Sequence, residues 1–168
     1  MKHTSKKEIP RITTSLFKGK QTIQWNDVES YLKKYIGRSF TVEAYNDHIM
    51  FNSSSADEYC ESRYTKQLRG ALAKAKANAA LIIPSLIVTA HNRRWTENKN
   101  IKHSRDASLG WYRYDVDFAM AVKGSTEANT RWNFYKATMV VRINNRGLYF
   151  YDIIDIKKEA RTLQGSSE

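Results

Sequence analysis

One cysteine, seven glycines and no long hydrophobic run set the first limits on this 168-residue chain. Cys60 has no partner within the chain, so an internal disulfide and a Cys-built metal site are both excluded. No segment approaches the roughly 20 apolar residues of a membrane span. The opening residues, MKHTSKKEIPRITT, carry charge but no hydrophobic segment, so they are not a secretory signal. The few glycines form neither a phosphate-cradling loop nor a dinucleotide fingerprint, and zinc-ligand spacing is missing. The expected setting is therefore a reducing cytoplasm. No metal and no cofactor is expected.

What the chain has is positive charge. Lys and Arg number 28 against 17 acids, which leaves a net +11 and a pI near 9.7. Such a field favours a polyanion: nucleic acid first, an anionic membrane second, an acidic protein third. The alternative is a surface kept soluble by like charge. Aromatic residues reach 12%, ten of them Tyr and four Trp. These rings pack on one side and present a polar edge on the other.

Periodicity predicts one α+β domain over residues 16–159, between a flexible basic arm at 1–15 and a disordered tail at 160–168. Leu16 to Trp25 reads as a strand. Asn26 with Glu29 reads as a capping box that starts a helix. Two short strands around Asn46-Asp47 suggest a hairpin. The Ala-rich stretch Tyr64–Ala80 predicts a long helix with Leu68, Leu72, Ala75 and Ala79 inward and Lys76 facing elsewhere. Pro84 ends it, and a second apolar helix finishes at His91. Residues 92–110 read as a long loop. Alternation then predicts a C-terminal antiparallel β-meander, with Tyr112, Tyr114, Val116, Phe118, Met120, Met139, Val141, Leu148, Phe150 and Ile154 facing inward. The expected fold is thus N-terminal helices with a small hairpin, followed by that meander.

Residues 92–115, NRRWTENKNIKHSRDASLGWYRYD, hold the most concentrated chemistry. Cleaving RNA without a metal needs a base for the ribose 2′-hydroxyl, an acid for the leaving oxygen, and cations on the phosphate. His titrates in the range for the first two, and Lys or Arg serves the third. His103 with Lys102, Arg105 and Arg113 would supply that set. Trp95, Trp111 and Tyr112 would stack bases beside it, and Arg93 and Arg94 would bind phosphates. Each has a plainer account: an exposed histidine, a core tryptophan, an arginine paired with Asp106 or Asp115. Asp115 and Asp117 share a strand face and would be able to hold Mg²⁺ together, against the simpler picture of two solvated acids.

Four segments, YTKQLRGALAKAKANAA, NRRWTEN, KHSRDASLGWYRYDVDFA and YFYDIIDIKKE, resemble a domain of phage and mobile-element polyvalent proteins. That domain is grouped with the barnase–EndoU–colicin–RelE-like toxin nucleases. The resemblance spans about residues 19–159. It implies helices followed by an antiparallel sheet whose exposed face cleaves RNA, often tRNA, without metal, inside a bacterial host cell. It carries functional roles onto Thr96, Lys102, His103, Arg113 and Tyr151, and implies a stand-alone or excised form of a domain that commonly ends a larger polypeptide. A cognate inhibitor is one implied partner. Two functions follow from the sequence: a metal-independent endoribonuclease of toxin or effector type, or a non-catalytic nucleic-acid-binding, anti-defence protein that blocks a host nucleoprotein.

Overall fold

A computed structural model describes residues 8–19, 22–126 and 128–160. In chain order they form β1 (Arg11–Ile12), α1 (Trp25–Leu32), β2 (Ser39–Val42), β3 (Asp47–Met50), α2 (Ser53–Glu61) and α3 (Arg63–Gln67). Then come α4 (Gly70–Ala79), α5 (Ile83–Thr89), β4 (His91–Thr96), β5 (Trp111–Ala121), β6 (Trp132–Asn144) and β7 (Gly147–Lys158). All seven strands join one curled mixed sheet in the order β1-β5-β6-β7-β3-β2, with β4 also on β5.

This overturns the expected segregation of N-terminal helices and a C-terminal antiparallel meander. Strands run throughout the chain, and two pairings, β1 with β5 and β3 with β7, are parallel. The cause lies in β5 and β7, which flank β6 and would otherwise leave a row of unpaired N–H and C=O groups each. β4 and β1 divide the free edge of β5 between them, at residues 111–115 and 119–120. β3 takes β7 at Leu148 and Tyr149; beyond it α2 lies alongside, and Ser55 Oγ donates to the Phe150 carbonyl at 2.7 Å. A period of two marks a strand but says nothing about which short segments dock on its edges.

Several local expectations also give way. Leu16 to Trp25 forms no strand among its described residues. Instead the amides of Leu16 and Phe17 donate to Asn78 Oδ1 at 2.8 and 3.0 Å, and Asn78 Nδ2 returns a bond to the Phe17 carbonyl. Asn26 lies inside α1, whose N-cap is Gln24; the capping box belongs to α2, between Asn52 and Ser55. The long Ala-rich helix is split, because Leu68 and Arg69 are extended and α4 restarts at Gly70 with φ +62°. His91 opens β4 rather than closing a helix, so a strand replaces the first part of the expected loop. Arg11 and Ile12 leave the expected arm to form β1; residues 1–7 and 161–168 lie outside the described residues.

Tyr114, Val116, Phe118, Met120, Met139, Val141 and Phe150 enter the core, while Tyr112 and Leu148 are half-buried. Ile154 does not; Ile153 and Ile156 do, because register shifts between β6 and β7 and a positive φ at Asp155 turn the strand. The run Gly70–Thr89 has the length of a membrane span and an 18-residue window of mean hydropathy 1.5, yet 56% of that window is buried inside this fold. Ala75, Ala77, Ala79 and Leu86 all join the core.

Candidate functional site

Tyr151 and Asp152 adjoin in sequence but serve different clusters. On β6, Val141 pairs with Phe150 and Val140 with Asp152, so Tyr151 is the extra residue of a bulge. A bulge re-aims side chains locally. Tyr151 turns to His103, and Asp152 turns to Lys76.

The segment after β4 closes over the sheet and carries His103 to this place. Leu109 N–H donates to the Ile143 carbonyl and Ile143 N–H to the Gly110 carbonyl, both at 2.9 Å. Asn144 Nδ2 donates to the Asp106 carbonyl at 2.8 Å, and the Asn100 side chain caps the short turn at 101–103. Gly110 is required here: its φ is +98°, and a Cβ would stand 2.6 Å from Trp95 Nε1. His103 is left 9% exposed.

Both nitrogens of His103 are engaged. Nδ1 lies 3.1 Å from each Asp106 carboxylate oxygen, and Nε2 lies 3.3 Å from the Tyr151 hydroxyl. A carboxylate only accepts, so in the neutral ring Asp106 draws the proton onto Nδ1 and leaves Nε2 as the acceptor. Trp111 and Tyr151 meet the ring edge-to-face at 5.2 and 5.5 Å. Burial, reinforced by the nearby charge of Glu58, pushes the Tyr151 phenol above its usual value, so it stays protonated. Arg142, paired with Trp111 across β5 and β6, approaches Asp106 at 3.7 Å and donates to Ser54 Oγ at 3.0 Å. Its Nε is buried without a hydrogen-bond partner. The result is a line Asp106–His103–Tyr151 with a guanidinium at one end.

The other residues singled out in the sequence divide. His103, Tyr151 and Trp111 converge. Arg113 and Thr96 touch each other at 3.4 Å on neighbouring strands but make no contact with His103. Lys102 and Arg105 are exposed, with no side-chain partner among the described residues. Trp95 is 56% exposed and donates Nε1–H to the Leu109 carbonyl. Arg93 and Arg94 point to opposite faces, as their partners on the sheet show. One guanidinium nitrogen of Arg93 donates to both Asp47 carboxylate oxygens, at 3.0 and 2.9 Å, between the rings of Tyr45 and Tyr112. Arg94 pairs with Asp115 at 3.0 Å.

Asp115 and Asp117 do not form a shared metal seat. Asp115 accepts from Asn92 and Arg94, which hold its carboxyl below the usual value against its partial burial. Asp117 faces Lys136 and His91. Glu29, Asp57 and Glu61 offer a second acidic group, with ligand atoms within 4.8 Å of one another. A hydrogen bond to Asp57 raises the Glu29 carboxyl, and nothing else there points to a metal.

Lys76 and Asp152 form the sealed counterpart of the histidine line. Their side chains are 0% and 2% exposed and meet at 2.6 Å. Lys76 also donates to Thr65 and lies over the Tyr59 and Tyr64 rings, and the Tyr59 hydroxyl donates to its carbonyl. Burial lowers the ammonium and raises the Asp152 carboxyl to about 6.

Asp106, Arg142 and Glu58 join the site without being among the residues the sequence marks for it. Asp106 carried a signal, three residues after His103 in a turn. Arg142 carried another, as a charge inside the apolar run MVVRI. Glu58 carried none. Comparison with protein-family models, with curated proteins and with solved structures returns no match to this chain.

Proposed function

We propose that the chain binds single-stranded RNA and cleaves it without metal at the Asp106–His103–Tyr151 line. The observation behind this is the hydrogen-bonded order of an orienting carboxylate, a histidine and a phenol, with Arg142 beside it. Nε2 of His103 takes the proton of the ribose 2′-hydroxyl, whose oxygen attacks phosphorus. As the bond to the 5′-oxygen breaks, the Tyr151 hydroxyl protonates that oxygen and recovers its proton from His103. The proton travels from nucleophile to leaving group, and the products are a 2′,3′-cyclic phosphate and a free 5′-hydroxyl. Asp106 holds the tautomer, and Arg142 at the Asp106 end of the line adds positive charge to the site. The net +11 gathers the substrate.

A second reading is favoured by one specific feature. His103 is 9% exposed, and neither Lys102 nor Arg113 reaches it. In that case the cluster only pins the loop, and the basic surface occupies the nucleic acid of a host nucleoprotein. Incubating the protein with total RNA in EDTA separates the two. Cleavage ending in cyclic phosphate supports the nuclease; RNA bound but left intact supports the binding module.

A further inference from the structure

We propose that the groove between the β2–β3 hairpin and the β6–β7 turn is a nucleotide subsite for the RNA strand acted on at His103. The proposal rests on the reading above. The groove encloses about 830 Å³, a volume within the range of small-molecule sites. Ile36, Met50, Leu148 and the Tyr149 ring give it apolar walls of the kind a base packs against. Gly147 keeps one wall open: its φ is +137°, and a Cβ there would come within 3.1 Å of Met50 Cε.

Charge selects the occupant. Arg38 and Arg146 line the groove, both exposed, and neither has an acidic partner among the described residues. Asp47 is the one carboxylate in the lining, and it is spent on Arg93 and the Tyr114 hydroxyl. Two guanidiniums without acidic partners among the described residues, Arg38 lying over the Phe40 ring at 5.3 Å, fit a base with its phosphates better than an apolar or cationic segment. Position links the groove to the chemistry. Tyr149 lines it and also lies under the Arg142 guanidinium at 5.1 Å. Ser53 lines it too, next to the Ser54 hydroxyl that accepts from Arg142. Through Tyr149 and Ser53 the groove thus adjoins the residues that hold the Arg142 guanidinium.

The test titrates a fluorescein-labelled single-stranded hexaribonucleotide against the full chain carrying His103→Ala, so that nothing is consumed. The Arg38→Glu/Arg146→Glu variant and a charge-matched control, Lys157→Glu/Lys158→Glu, are compared in that background. The expected result is a loss of roughly tenfold or more for the groove variant and several-fold less for the control. Methyl resonances of Met50 and Leu148 should also shift on RNA addition. Equal losses, still methyls, or tighter binding of an acidic decapeptide than of RNA would overturn the subsite. In the His103-intact chain, cleavage unaffected by the groove reversal sinks the subsite and keeps the nuclease. RNA bound in the groove but never cleaved keeps the subsite and sinks the nuclease.

Discussion

Two polar clusters draw on adjacent residues of β7, and they differ in access to water. Lys76 and Asp152 are sealed under α4, whereas Asp106 beside His103 is 39% exposed in its side chain. A sealed ion pair holds its place because removing either member strands the other in a medium that solvates charge poorly. The histidine line is different: its Asp106 end meets solvent, although His103 itself is 9% exposed. One bulge separates the sealed ion pair from the histidine line, so perturbing the two should give different phenotypes: lost stability at the first and, if the proposed function holds, lost cleavage at the second.

The largest effect falls on the sealed side. Lys76→Met should cost about 3–5 kcal/mol of unfolding free energy in urea titration, by leaving Asp152 buried and unpaired. Replacing Asp152 by Asn in the same chain should restore part of it. The deficit should also depend on pH. Asp152 has a folded value of about 6, above the usual 3.8 of an aspartate, so its contribution is complete below the lower value and lost as pH rises through the upper one. Without Lys76 to lower it, that folded value climbs further. The variant's deficit should therefore be larger near neutral pH than near about pH 5. A deficit independent of pH would remove Asp152 from the explanation.

The neighbours Arg93 and Arg94 sharpen the same contrast on a smaller scale. Arg93→Ala strips Asp47 of its charged partner and two rings of their cation, and should cost about 1–3 kcal/mol of stability. Arg94→Ala breaks an exposed pair with Asp115 and should cost no more than about 1 kcal/mol, falling with salt. Equal costs in thermal or urea unfolding would contradict their assignment to opposite faces.

How far the sequence reaches can be read from single residues. Alternation from Tyr114 to Met120 settles strand and inward face, because consecutive Cβ atoms alternate whatever the strand pairs with. The partners β1, β3 and β4 are short, and their docking depends on which edges remain unpaired, which no local pattern states. Lys76 was placed outward from the phase of one continuous helix. Extended Leu68 and Arg69 break that phase, so α4 turns a different face inward. Tyr151 and His103 stood out as chemical types. That Asp106, Arg142 and Glu58 join them depends on a bulge and a loop closure, features of tertiary pairing.

The central claim is that the His103 line performs chemistry and is not merely a clasp for its loop. End-labelled single-stranded RNA, incubated in EDTA with the wild type and with His103→Ala, tests it most directly. Binding and urea stability are measured on the same samples. The account predicts cyclic-phosphate products from the wild type and a rate lower by on the order of 10² to 10⁴ in the variant, with affinity little changed. A variant that cleaves at the wild-type rate, or a wild type that binds RNA and cleaves none, would contradict it.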